Sequence, residues 1–311
     1  MIKDEIKTLW SRLPKNSTAT IKSLVDIGYK TWALRFENSY GVAIPVDSKI
    51  EIAEDFSGAK FFTGTITVKE NEKQSSTYVL ILAAESPDYI MPFSALCEEF
   101  VSPGTDGTFR KSITEKPEIW WKQWKELLGN KNTDERTYAT LGELITYKYL
   151  LKSGAKVVWN GPEAATYDLD CSDYYCEVKS STARNKRQIT LSNLFQLTPP
   201  NGKKLFLVFC QFEESQKGIS INSVLEELVL LGCDRNGIED KLQKVGLQKG
   251  KSSRNNQYII HSVNKYVVDE NFPAIRESSF LNGTLPKGVI SLTYVVSLDS
   301  ITGENITEKV E

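Results

Sequence analysis

The order of elements between Thr133 and Phe212 constrains this chain more than any other feature. The pattern predicts a long helix, three short strands, a short helix and a strongly apolar strand. The long helix is expected over Thr133 to Lys152, with Thr133 or Asp134 placed to cap it and Gly154 placed to close it. Its apolar stripe is Leu141, Leu144, Ile145, Tyr149 and Leu151. Strands are expected at 156–159, 167–171 and 174–180, then a helix at 191–197 stopped by Pro199-Pro200, then a strand at 204–212. This order describes an α/β core inside a chain that is α+β overall.

The flanking sequence differs in character. From Thr31 to Ala84 it is strand-like: Trp32, Leu34 and Phe36 alternate with Arg35 and Glu37, and Tyr78 to Ala84 is a continuous apolar run suited to a central strand. A short helix follows Pro92, and the loop Ser102 to Gly107 precedes the first boundary. A tryptophan-rich helix, Pro117 to Leu128, sets Trp120, Trp121, Trp124 and Leu128 on one wide face. Beyond Phe212, helices are expected at 223–231 and 237–245, and strands at 257–261, 265–268 and 289–298. We divide the chain into an N-terminal β-rich domain (1–112), a core (113–215) and a C-terminal α+β region (216–311).

Composition excludes several classes. The 38 basic and 40 acidic residues give a net charge of −2, so any nucleic-acid contact must come from local patches. No 18-residue apolar run can span a membrane, and the first residues lack a signal-peptide core. Five scattered cysteines without a CxxC pair, and a single histidine, His261, argue against a Cys/His zinc site and fit a reducing, cytoplasmic compartment.

The chemistry concentrates between Tyr167 and Lys179. If the strands around Ser172-Asp173 form a hairpin, Cys171 faces Tyr174 and Asp168 faces Glu177. Opposed residues hold their Cβ atoms about 5 Å apart on one face, so the two carboxylates are placed to share a cation. Strand alternation puts Lys179 on the same face and turns Val178 into the core. Asp170 shares the carboxylate face as an ancillary group, and Asp173 lies in the turn. Two carboxylates and an ammonium suit phosphodiester hydrolysis with a hard divalent ion.

Asp168 followed by Glu177-Val178-Lys179 resembles the (P)D…(D/E)xK signature of the PD-(D/E)XK nuclease superfamily, and the order of elements resembles its restriction-endonuclease-like αβββαβ core. The resemblance implies that Asp168 and Glu177 bind Mg²⁺, with Mn²⁺ able to substitute, and that Lys179 is the catalytic lysine. It extends to Glu143 on the preceding helix and to Gln196 on the helix after the motif. Position 167 is Tyr rather than Pro. Trp121…Trp124-Lys125-Glu126-Leu127-Leu128, Leu141-Gly142-Glu143-Leu144, Trp159-Asn160-Gly161-Pro162 and Pro286-Lys287-Gly288-Val289-Ile290 are similar to a bacterial family called PD-(D/E)XK motif proteins. Members commonly lie beside restriction-modification or phage-defence components. The resemblance therefore implies a DNA endonuclease in such a setting, with possible defence-protein partners and a homodimer.

Each residue also has a plainer reading. Glu143 can be a helix-surface charge, and Gln196 can pack beside the proline stop. Arg184, Lys186 and Arg187 can hold phosphates or simply solvate a loop. A second basic stretch, Lys241, Lys244, Lys249, Lys251 and Arg254, is a further candidate for backbone contact with nucleic acid. The tryptophan helix reads as core rather than a base-stacking platform, His261 as structural, and Cys171 and Cys176 as neighbours of the site without a metal role. The alternative function is a catalytically inactive nucleic-acid-binding or scaffold subunit that keeps the fold.

Overall fold

The computed structural model describes the chain except at residues 1, 15–19, 26, 37–38, 57–58, 71–72, 85–89, 129–132, 162–165, 193–194, 200–201, 281–282, 284–285, 290–291 and 311. The chain is mixed α+β and packs as two compact units, Met1–Lys131 with Lys249–Ser252, and Asn132–Gln248 with Ser253–Glu311. Among the described residues no helix is long and apolar enough to cross a membrane.

The first unit holds α1 (Ile2–Arg12), β1 (Thr20–Ser23), β2 (Trp32–Arg35), β3 (Tyr40–Pro45), β4 (Ala53–Phe56), β5 (Ala59–Glu70), β6 (Lys73–Ala84), α2 (Ile90–Val101), α3 (Thr108–Glu115) and α4 (Pro117–Leu128). Its strands form one antiparallel sheet in the order β1-β2-β3-β6-β5-β4. The apolar run in β6 is central and buried on both faces, as its composition requires. Sequence alternation describes β2 as half-buried, but Trp32, Ala33 and Leu34 are all buried. Ala33 belongs to one apolar cluster, and Trp32 and Leu34 to another. Trp120 and Trp121 of α4 pack on Phe61 at ring distances of 5.4 and 5.1 Å, so these tryptophans are core. Those contacts place α4 in the first unit, whereas the sequence grouped it with the residues that follow.

The second unit continues with α5 (Thr133–Lys152), β7 (Val157–Trp159), β8 (Leu169–Cys171), β9 (Tyr174–Ser181), β10 (Gln188–Leu191), β11 (Lys204–Ser215), α6 (Ile221–Leu230), α7 (Arg235–Lys244), β12 (Gln257–Val267), β13 (Tyr294–Ser297), β14 (Glu304–Asn305) and α8 (Thr307–Val310). The main sheet has the order β14-β12-β11-β9-β8-β7, with β9 and β11 parallel and the other pairs antiparallel. β11 is central, and its stretch from Leu205 to Cys210 is apolar. Its Val208, Cys210 and Phe212 join the cluster containing Leu141, Leu144 and Ile145 of α5, while Leu205, Leu207 and Phe209 join the other cluster. The cap residues Thr133 and Asp134 lie where side chains are not described. At the other end of α5, Gly154 takes the left-handed φ of 81° expected of a helix-closing glycine.

Leu191 does not start a helix: it ends β10, and only a 3-10 turn, Phe195–Leu197, follows among the described residues. β10 pairs with β13 more than 100 residues later, Ile189 facing Val296, and buries Ile189 and Leu191. That pairing is non-local, so short-range periodicity gave no sign of it. The two strands expected at 257–261 and 265–268 are one strand, β12, with a register shift opposite Gln211/Phe212.

Candidate active site

The β8–β9 hairpin pairs Leu169 with Cys176 and Asp170 with Tyr175. Extending this register by one step sets Asp168 opposite Glu177, the arrangement expected from the sequence. Asp168 just precedes β8 and is held at its backbone and side chain. Its carbonyl accepts from Asn160 N at 2.9 Å, and its Oδ2 accepts from Val178 N at 2.7 Å. Asn160 Nδ2 also donates to Tyr167 O at 2.8 Å. Glu177 is only 2% exposed, and its Oε1 lies 2.8 Å from Lys179 Nζ. Cys171, Cys176 and Val178 face the other way, into the cluster with α5.

A third carboxylate joins these two. Glu143 of α5 feels the charge of Asp168 and Glu177, and its Oε2 accepts from Trp159 Nε1 at 2.7 Å. Gly142 brings α5 close to β9: a Cβ there would lie 2.1 Å from Ser180 Oγ and 3.5 Å from Cys210 Cβ. The serine hydroxyl can rotate away from one methyl, but the methyls of a valine meet the Cys210 wall as well. Gly142→Val is therefore expected to destabilise the protein by about 1–3 kcal/mol. Chemical denaturation checks this, and an unchanged midpoint contradicts the close packing.

Burial pushes the Glu143 carboxyl up to about 8; Asp168 and Glu177 add to the rise, and the Trp159 N–H opposes it. Burial and then Asp168 push Glu177 up to about 8 against the pull of Lys179. Burial also raises Asp168, outweighing the Val178 N–H and Lys179. Lys179 loses hydration, which lowers its pKa, yet Glu177, Asp168 and Glu143 together raise it. Three buried carboxylates thus share one ammonium.

Each carboxylate has one oxygen held by a named donor and a second that takes no hydrogen bond among the described residues. An all-oxygen set of buried carboxyls that resist ionising without a counter-charge fits a hard divalent cation. Among the described residues no group of three or more His, Cys, Asp or Glu side chains is placed to hold a metal ion, so a cation here would rest on the Asp168–Glu177 pair. Mg²⁺ needs no more, because it is usually held by one or two carboxylates plus water and phosphate.

The other sequence candidates are placed as follows. Asp170 pairs with Lys203 at 3.0 Å, and Lys203 also lies over the Tyr175 ring at 4.3 Å. Gln196 sits in the 3-10 turn rather than on a helix, and its Oε1 accepts from Ser192 N at 3.2 Å. The loop after β9 carries Arg184 and Lys186 exposed. Arg187 is tied to the fold through Tyr266 Oη at 2.6 Å. Gln211, 4% exposed and not signalled by the sequence, secures that loop by donating to Ala183 O at 3.1 Å. His261 is exposed on β12.

Two members of the second basic stretch, Lys251 and Arg254, are buried and paired, which takes them out of the expected nucleic-acid contact, while Lys244 and Lys249 are exposed. Lys249 pairs with Glu51 at 2.7 Å, and Lys251, 5% exposed, pairs with Asp55. Arg254 is 2% exposed and bidentate to Glu239, and Lys241 donates to Trp159 O. Trp159 is the partner that sequence reasoning missed. A buried tryptophan needs an acceptor, but nothing local says which acceptor it finds.

A family model described as "Putative PD-(D/E)XK family member, (DUF4420)" matches residues 6–299. No curated protein and no solved structure matches. With nearly the whole chain covered, the protein belongs to this PD-(D/E)XK family.

Proposed function

We propose that this protein is a metal-dependent endonuclease that hydrolyses phosphodiester bonds of DNA. The observation that carries the reading is the hairpin register, which sets Asp168 opposite Glu177 with Lys179 2.8 Å from the Glu177 carboxylate. The run α5-β7-β8-β9 followed by the central, parallel β11 supports a restriction-endonuclease-like core. Asp168 and Glu177 are the residues to hold Mg²⁺, or Mn²⁺ in its place. When bound, the cation supplies Lewis-acid polarisation of the phosphoryl oxygen and makes water a competent nucleophile near neutral pH.

The chain's own groups do the rest. Lys179 Nζ, held by Glu177, stabilises negative charge developing on the phosphate. Glu143, pushed up to about 8, holds a proton near neutral pH and would give it up where a cation binds beside it. Arg184 and Lys186 extend directly from the strand that carries Glu177 and Lys179, and hold flanking phosphates. Gln196 has no step in this scheme. The family resemblance places the activity in restriction or phage defence, with defence-protein partners and a homodimer as part of the proposal. The five free cysteines fit a cytoplasmic setting.

The test is cleavage of plasmid DNA, with and without modified bases, in Mg²⁺, Mn²⁺ or chelator. Cutting that needs the metal and is lost in Glu177→Ala supports the assignment. Salt-sensitive DNA binding with no cutting in any metal favours the non-catalytic subunit instead.

A further inference from the structure

The face of β9 that carries Glu177 and Lys179 continues one step further to Ser181, where the strand ends. β11 runs parallel beside it, setting Leu207 next to Glu177, Phe209 next to Lys179 and Gln211 next to Ser181. Leu207 and Phe209 are apolar and buried, as a strand in the middle of a sheet requires. Gln211 is also buried, at 4% exposure, but its amide is polar and must find partners. Its Nε2 donates to Ala183 O at 3.1 Å and to Arg184 O at 3.4 Å, and its Oε1 accepts from Ser262 Oγ at 2.9 Å. The register of β12 skips His261 beside this point, a β-bulge of the kind that re-aims side chains.

Ala183 O is also the acceptor that closes a turn. It receives Lys186 N at 3.4 Å, while Ser181 Oγ accepts from Ala183 N at 3.0 Å. The closing bond is long, so the Gln211 amide supplies the firmer grip on that carbonyl. Arg184, Asn185 and Lys186 of the turn are all exposed. Arg184 Nη1 lies 3.8 Å from Glu213 Oε2, a weak surface pair that a phosphate can replace.

We propose that Gln211 is a positioning residue for nucleic-acid binding: its buried amide holds the Ala183–Lys186 turn so that Arg184 and Lys186 meet backbone phosphates in fixed register with Lys179. The inference rests on the reading above that these two residues hold flanking phosphates. The clamp at Ser181 and Gln211 stands two strand residues, about 7 Å, past Lys179. Ordering the turn in advance spares the cost that a loose basic loop would meet on binding.

The experiment measures binding of a short fluorescent DNA duplex to the full chain in chelator over a range of salt. The variants are Gln211→Met, Ser262→Ala, the double variant Arg184→Ala/Lys186→Ala, and that double variant with Gln211→Met added. Replacing both basic residues is expected to flatten the slope of log affinity against log salt by about 1.8, at about 0.9 per phosphate contact. Gln211→Met keeps the length and loses the amide; it is expected to weaken binding about three- to ten-fold and to flatten the slope. Added to the double variant it should change little, because both act through one turn. A general loss of folded protein lowers the bound fraction and leaves the slope alone. Ser262→Ala, a milder change that leaves Gln211 Oε1 without its donor, should shift affinity and slope in the same direction. Parent-like affinity and slope in Gln211→Met, or in Ser262→Ala where the former does not fold, overturn the inference, as does a loss fully additive with the double variant. If the double variant binds like the parent, or the parent binds no DNA, the inference falls and plasmid cutting in Mg²⁺ alone decides the nuclease reading. If the expected binding losses appear but no metal supports cutting, the inference holds for a binding subunit and the nuclease reading falls.

Discussion

Lys179→Ala is expected to slow metal-dependent DNA cleavage by roughly 10²–10³-fold, the usual cost of deleting one charge-stabilising donor. The reason lies in the local charge balance. Lys179 is the ammonium whose charge all three acids of the site feel, and it is held 2.8 Å from Glu177. Without it, the buried carboxylates lose their counter-charge. Breaking a buried pair by removing one partner costs about 3–5 kcal/mol when the remaining charge cannot neutralise. Glu177 can take up a proton, so the thermal destabilisation should be smaller at pH 6 than at pH 8.5. Adding Mg²⁺ should recover part of the melting temperature and none of the rate. A variant that cuts plasmid DNA as fast as the parent would remove Lys179 from the mechanism.

The second large effect concerns the protein without metal. Glu143 and Glu177 both rise from 4.5 to about 8 on folding. A carboxyl with a raised folded pKa binds more protons folded than unfolded between those two values. Stability is therefore greatest below about 4.5 as far as these groups are concerned, and falls as pH rises from there through about 8. Glu143→Gln tests this directly, since a glutamine oxygen can still accept the Trp159 N–H. At pH 8.5 in chelator it should melt above the parent by on the order of 2–4 °C, the shift that about 1 kcal/mol produces in a domain of moderate size. At pH 5 the two should melt alike. Saturating Mg²⁺ should stabilise the parent more at pH 8.5 than at pH 5, because the ion competes with protons for the carboxylates. Melting curves that run parallel across this range would mean that the acids are not held as the structure places them. A gain in stability at the expense of function is common where a site stores buried charge.

The hairpin was legible in the sequence because its pairing follows from arithmetic. Once the turn is set near Ser172-Asp173, the constant register places Asp168 opposite Glu177 and puts Lys179 on the same face. The apolar run in β6 announced a central strand for an equally local reason, and Gly154 announced the end of α5. What the sequence could not decide depends on contacts between distant residues. β10 is a strand only because Tyr294–Ser297 lies beside it, and that pairing removes the helix expected to carry Gln196. Lys251 and Arg254 look like part of a basic patch until Asp55 and Glu239 are seen to neutralise them. Trp159 and Glu143 stand 16 residues apart, on a strand and a helix, and only their packing aims one indole N–H at one carboxylate oxygen. Periodicity and turn chemistry act over a few residues and so are written in the chain, whereas charge pairing, burial and the raised carboxyl pKa values arise only when separate elements exclude water together.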